Sequence, residues 1–533
     1  MADSTDPAAR IIDRVHPEWA EHQVEWRWLY DSWEGGERYR NATYGSIGGF
    51  PLYNLIRHKR ELPDPSPIVQ PGGARYPGQL DYWSDDFEMR RARTPVPDWV
   101  ESAVDTHLSK IYAREVRREA PEDVQAWFDD VDGMGTSIDE WMRDVIAPLV
   151  TVLGCLDVLF DHPKDPDGEP IASNADEKAA GTRGVVATYI LPTNLRWWRL
   201  DARGRYAEAV VREYEDGAAR FRHWTAEDWT LYDARGELIQ GPETHDFGRV
   251  PIVRLMMGRK PRCRNVGTSV YKTAASLMRE FYNRDSELIL SDTTQAHPLL
   301  QCPEDYIKAD GTLPVGPNWL LPKKKNAQGG TATYEGFDVV EFPKEGADSL
   351  RINKADLRDA ADRSAYLQKP AGAAGSNGTT VAQTGISKRL DQTTANDFLA
   401  KVSGRLQSCE YEMVGMARLV LSDGADDSYD DVKIAYPTSF DLFTAEELAK
   451  SIVNLQDILE KVGAAPKTEV ALISTLIRAA IPGREDEEYA AFDAEIKRLV
   501  GDRENEMEQR SEAGLDAPPG RAQDPVPVRV THG

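Results

Sequence analysis

Residues 269–424 constrain the fold more than any other stretch, because long helical periodicity alternates there with segments that cannot be helical. Val270, Ala274, Leu277, Phe281 and Leu288 recur at helical spacing between Ser269 and Thr294, while Arg279, Glu280, Arg284 and Glu287 line other faces. That pattern predicts an amphipathic helix. Gly267-Thr268-Ser269 supplies its start, since either hydroxyl can accept from the first free N–H groups. His297-Pro298 stops it, because proline disfavours a helical residue before it. Residues 297–346 are broken by Pro298, Pro303, Pro314, Pro317, Pro322 and Pro343. The short apolar runs Trp319-Leu320-Leu321 and Val339–Phe342 within them predict strands. Asp348–Gln368 is helical again, without internal glycine or proline, and Lys369-Pro370 closes it. Ala371–Thr380 has no side chain able to build a core and predicts a mobile loop. Thr394–Leu421 predicts a long helix with Phe398, Val402, Leu406, Cys409, Met413, Met416 and Val420 as its stripe, and Gly424 ends it.

This order of elements resembles the central part of tailed-bacteriophage portal proteins, the ring at the head–tail vertex. The phrase Asp246–Val253 is similar to the strand that leads many portals into their stem. The resemblance covers most of the chain by order of elements and rests on no catalytic signature. It implies an α+β fold with a helical N-terminal region and a mainly antiparallel wing sheet. A stem-helix hairpin then carries a small α/β clip and is followed by a long helix and a helical crown. The implied divisions are a flexible arm (1–15), wing (16–268), first stem helix (269–296), clip (297–346) and second stem helix (347–369). A tunnel loop (370–388), the long helix with a returning wing strand (389–443), a crown (444–510) and a disordered tail (511–533) complete them.

Composition sets the outer bounds. With 533 residues the chain has room for two to four packed units, and no apolar run is long enough to span a bilayer. Met1–Asp6 is acidic and polar, unlike a secretory signal, which places the chain in the cytoplasm or in something assembled there. Cys155, Cys263, Cys302 and Cys409 show neither Cys-x-x-Cys nor zinc spacing, and Cys155 and Cys409 sit on apolar patterns as reduced core residues. A formal charge of −25 argues against a conventional DNA binder, which needs a basic face. It suits a conduit that must let DNA pass without gripping it, and it suits many other soluble proteins equally.

Before residue 269 the periodicity changes twice. His16–Trp33 is helical and rich in tryptophan, read as a helix packed on the body, with an inter-subunit contact as the other reading. Pro97–Val116, Pro121–Asp130 and Ser137–Leu156 are expected helices, the last opening on the capping box Ser137-Ile138-Asp139-Glu140. From 184 to 258 the pattern turns to strands, with a hairpin around Glu215-Asp216-Gly217. Val432–Tyr436 is expected to return to the same sheet, and Thr444–Gln509 holds three further helical segments.

Motifs that carry chemistry are few. The glycine loop at 372–378 lacks the lysine of a phosphate-binding loop and follows a helix, not a strand. Neither a Gly-x-Ser-x-Gly elbow nor a His-Glu-x-x-His helix is present, so no catalytic residue, cofactor or metal is expected, and the chain is not read as an enzyme. Two basic features stand out. Lys323-Lys324-Lys325 is either a solvated turn or a contact for an acidic partner. Lys369, Lys388 and Arg389 bracket the loop holding Gly372, Gly375, Ser376, Asn377, Gly378 and Thr379, and either touch passing phosphates or, for Lys369, complement a helix end. The resemblance implies a dodecameric homo-oligomeric ring in the virion, assembled in the host cytoplasm. Its implied partners are double-stranded DNA, the terminase large subunit, the major capsid and scaffolding proteins, and a head–tail adaptor, with no membrane. An enzyme with an unrecognised site, or another oligomeric virion protein without a DNA channel, are the competing readings.

Overall fold

Helices α1 (Gln23–Glu34) and α2 (Trp99–Ile111) form the N-terminal layer. Trp26 and Leu29 on α1, with Trp19 from the turn before it, are buried, so the tryptophan-rich segment packs inward. Val100, Val104, His107, Leu108 and Ile111 form the buried stripe of α2. The computed structural model describes residues 11–47, 50–57, 87–162, 184–259, 263–296, 299–303, 320–323, 338–340, 345–365, 385–422 and 424–438, together with 492–498 and four isolated positions. The chain divides into two units, Met1–Tyr436 and Pro437–Gly533, and residues 492–498 of the second are helical. Most of the expected crown, residues 1–10 of the expected arm and the expected tail lie outside the described residues, while Ile12, within the expected arm, is buried.

Strand β1 (Arg117–Glu119) and helix α3 (Glu122–Asp129) lead to a continuous helical rod. It comprises Ile138–Trp141, a π-helical turn at Met142–Ile146, and α4 (Ala147–Leu153). Ser137 Oγ accepts from the Glu140 amide at 3.3 Å, one arm of the expected capping box. The rod stops at Leu153 instead of Leu156, because Gly154 turns the chain at φ 83°. Cys155–Asp161 is then a strand, β2.

The expected single wing sheet is two sheets. Strands β3 (Val186–Ile190) and β9 (Ile252–Met256) flank β2 antiparallel, giving the order β9-β2-β3. Strands β4 (Leu195–Leu200), β5 (Tyr206–Glu215), β6 (Ala218–Trp224), β7 (Asp228–Tyr232) and β8 (Leu238–Thr244) form a separate antiparallel meander. Its edge strand β8 carries Pro242 and two register shifts, which edge pairing tolerates and central pairing does not.

Helix α5 (Lys272–Ala296) and helix α6 (Glu345–Ser364) form a hairpin. Three strands lie between them in sequence: β10 (Leu299–Pro303), β11 (Leu320–Lys323) and β12 (Asp338–Val340). Strand β10 pairs parallel with β11 and antiparallel with β12. Helix α7 (Gly385–Leu421) runs 37 residues and starts nine positions before Thr394. The last strand, β13 (Lys433–Ala435), pairs with β1 and not with the wing strands, since β1 lies along α7 where the chain returns.

Candidate functional site

The hairpin is the feature around which the described residues converge. Arg351 on α6 donates to Asp292 on α5 at 2.8 Å, and Lys354 pairs with the buried Asp285. These contacts set the two helices antiparallel. Lys354 Nζ also lies 4.8 Å from the Phe281 ring centroid. Ala347 and Ala361 are the buried side chains of α6, and their small size lets the two backbones approach.

The root of the hairpin is built backbone on backbone. Gly154 and Gly267 touch so closely that a Cβ on Gly267 would lie 1.8 Å from the Gly154 carbonyl oxygen. The Val270 amide donates to Thr151 at 2.9 Å, and the Met257 amide donates to Gly154 at 3.0 Å. One histidine joins four helices there. His107 on α2 meets the Tyr271 hydroxyl at 3.0 Å, one position ahead of α5, and lies 5.0 Å from the Phe398 ring on α7. Burial lowers its pKa to about 4, Lys110 pushes the same way, and the Ala365 backbone just past α6 opposes them.

Two buried ion pairs fix the surrounding elements. Arg118, the central residue of β1, grips Glu410 of α7 with two N–H groups and donates to Asp139 at 2.6 Å. Tyr436 donates at 2.7 Å to Glu410 Oε2, one of the two oxygens Arg118 holds, and burial with Glu410 beside it raises the Tyr436 pKa well above normal. On the sheet side, the Arg254 guanidinium lies 4.2 Å from the Trp19 ring and 4.7 Å from Trp198. It donates to the fully buried Asp157 at 3.0 Å, and Tyr206 donates to the same oxygen. Burial is the largest single influence and opposes the Arg254 charge, yet Asp157 together with Tyr206 and Cys155 offsets it and the pKa is raised. This cluster ties both wing sheets to the N-terminal turn.

Of the residues singled out for DNA or partners, most lie outside the described residues. These are Lys369, Gly372, Gly375, Ser376, Asn377, Gly378 and Thr379, with Lys324 and Lys325. Lys323 is the last residue of β11. Lys388 and Arg389, expected at a loop root, belong to the first turn of α7. The periodicity misses that turn because Gly385–Thr393 carries a sparse apolar stripe. The buried pairs went unread because 292 positions separate Arg118 from Glu410 and 97 separate Asp157 from Arg254. A signal existed in each case, an acid set inside an apolar run: Asp157 in Cys155–Phe160, and Glu410 beside Cys409 on the α7 stripe.

Cys155 and Cys409 are buried and in no disulfide, and burial pushes the Cys409 pKa up to about 12. Among the described residues no group of histidine, cysteine and carboxylate side chains could hold a metal ion, and no helix is long and apolar enough to cross a membrane.

No family model matches the chain, and no curated protein matches it in sequence. Among solved structures, a chain described as the neck of a native GTA particle computed with C12 symmetry is similar over 72% of this chain and 90% of its own length. It is 14% identical with a TM-score of 0.33, too loose a likeness to define a shared fold.

Proposed function

We propose that this chain is the portal subunit of a tailed-phage-like particle, a structural protein and not an enzyme. One observation carries the reading. An antiparallel helical hairpin, α5 with α6, is interrupted by a small three-stranded sheet and followed by a 37-residue helix. A ring of such hairpins would line a pore with helices and offer the strands β10–β12 as a docking surface at one mouth. In this reading the ring is a dodecamer that conducts double-stranded DNA during packaging and ejection. The terminase, and later the head–tail adaptor, docks on the segment between the helices, with Lys323, Lys324 and Lys325 as its contact. Lys369, Lys388 and Arg389 contact the passing duplex in this reading.

Light scattering after size exclusion, followed by negative-stain imaging of the largest species, tests the reading. The expected result is a ring with a central hole wide enough for a duplex. A chain that stays monomeric at every concentration, or a closed particle without a hole, overturns it.

A further inference from the structure

The two outer flanks of the hairpin carry opposite charge. Phe281, Asp285 and Asp292 face α6, so at 100° per residue Asn283, Ser286 and Leu290 lie on the opposite side of α5. N-terminal segments pack on that side. The Ile56 amide donates to Asn283 Oδ1 at 2.7 Å, and Arg90 donates to Ser286 at 3.1 Å. They bring a cluster of arginines with them. The Arg57 guanidinium stacks 4.5 Å from the Phe87 centroid, and Arg91 lies 5.0 Å from the Tyr53 ring and pairs with Glu88. Arg279 donates to the Tyr53 carbonyl at 3.3 Å. Arg40, Arg57, Arg90, Arg91 and Arg279 are all half-buried, held by rings and backbone, on a chain whose formal charge is −25. Ile56 and Met89, each next to one of these arginines in sequence, are large apolar side chains exposed to solvent, and Leu290 is exposed one turn past Ser286 on α5.

The far side of α6 is the counterpart. Arg351 and Lys354 point to α5 with Ala347 and Ala361, which leaves Glu345, Ile352 and Asp356 on the outer face, with Asp348 at its edge accepting from Arg351 at 2.9 Å. Ile352 is 56% exposed, and the face carries Arg363 toward its other end. One flank is therefore apolar with a guanidinium surround, the other apolar with a carboxylate surround.

We propose that these flanks are the two halves of one interface between copies of this chain. The acidic outer face of α6 in one copy seats on the arginine cluster beside α5 in the next. The occupant is a second copy because both complementary surfaces belong to the same molecule, on opposite sides of the same hairpin. A strongly acidic subunit can approach itself only where local charge is reversed, and the arginine cluster provides that reversal. The halves differ, so the contact is head-to-tail, the type that closes into rings. Stacked arginines around exposed apolar side chains have the composition of interface cores. The inference deepens the ring reading and rests on it.

Charge exchange tests it. One variant carries Arg57→Glu and Arg91→Glu, the other Glu345→Lys and Asp356→Lys, with circular dichroism to establish that each is folded. The wild-type chain is expected to assemble. Each variant alone should lose assembled mass by about tenfold or more at matched concentration, as expected when like charges meet across an interface. An equimolar mixture of the two should recover the assembled species, because every contact in an alternating ring is again complementary. Wild-type rings with variants that assemble unaided, or a mixture that fails to recover, overturn this interface and leave the ring reading standing. A wild-type chain that never assembles overturns both.

Discussion

Asp157 is fully buried, and its charge there depends on Arg254 and Tyr206. A carboxylate in that position is tolerable only when paired, and removing the cation leaves a bare buried charge. Arg254→Ala is therefore expected to cost about 3–5 kcal/mol in urea unfolding, while Arg199→Ala, an exposed β4 arginine paired with Glu208, should cost less than about 1 kcal/mol. His107 gives a different signature. Its folded pKa lies near 4, below the ordinary 6.5, so the folded state binds fewer protons than the unfolded chain between those values. Its stabilisation is present above pH 6.5 and is lost as pH falls toward 4. The loss is about 2 kcal/mol at pH 5 and about 3 kcal/mol below pH 4. Urea titrations at pH 7 and pH 5 should show that drop in the wild type, and His107→Gln should remove that share of it.

At the scale of elements, the hairpin hangs on a seat that has no room for a side chain. Gly267→Ala would force apart the Gly154 and Gly267 backbones, and neither can yield like a flexible side-chain tip. A loss of more than about 2 kcal/mol is expected, with unfolding followed by circular dichroism, whereas Gly346→Ala, with open space around it, should be nearly neutral. The helices α5, α6 and α7 were legible in sequence because their apolar stripes repeat over many turns. Strand β2 was not. Leu153 and Cys155 continue one apolar run across Gly154, and a central strand covered on both faces gives no alternation to read. The division of the wing into two sheets was equally hidden, since alternation reveals which face a strand buries but not which neighbour it pairs with. The same limit applies to the return strand β13, whose partner β1 lies more than three hundred positions earlier. The residues expected to touch DNA were chosen for composition, a glycine loop with basic flanks, and composition does not set where a helix starts. Lys388 and Arg389 show that directly. The arginine cluster drew no notice because its members come from distant segments, and only the packing of α5 against 36–57 and 87–94 gathers them.

For the whole molecule, the dominant quantity is charge. A chain at −25 repels its own copies, so an assembly held by arginine–carboxylate contacts responds to salt in two opposing ways. Weak screening relieves the long-range repulsion, and stronger screening weakens the contacts themselves. The assembled fraction measured by light scattering should rise between about 20 and 150 mM salt and fall again toward 1 M, as the Debye length shrinks from roughly 20 Å to 3 Å. An interface held by apolar area alone would gain steadily with salt over the same range.

The glycine seat has a mechanical consequence. Helix α5 has 25 residues, about 37 Å at 1.5 Å per residue, and is clamped at one end against rigid backbone. It is a lever with a fixed fulcrum. A tilt of about 5° at Gly154 and Gly267, over that length, displaces the end that carries strands β10–β12 by roughly 3 Å. A movement too small to disturb the packing of the wing would thus be magnified at the far end into a shift comparable to the width of a side chain.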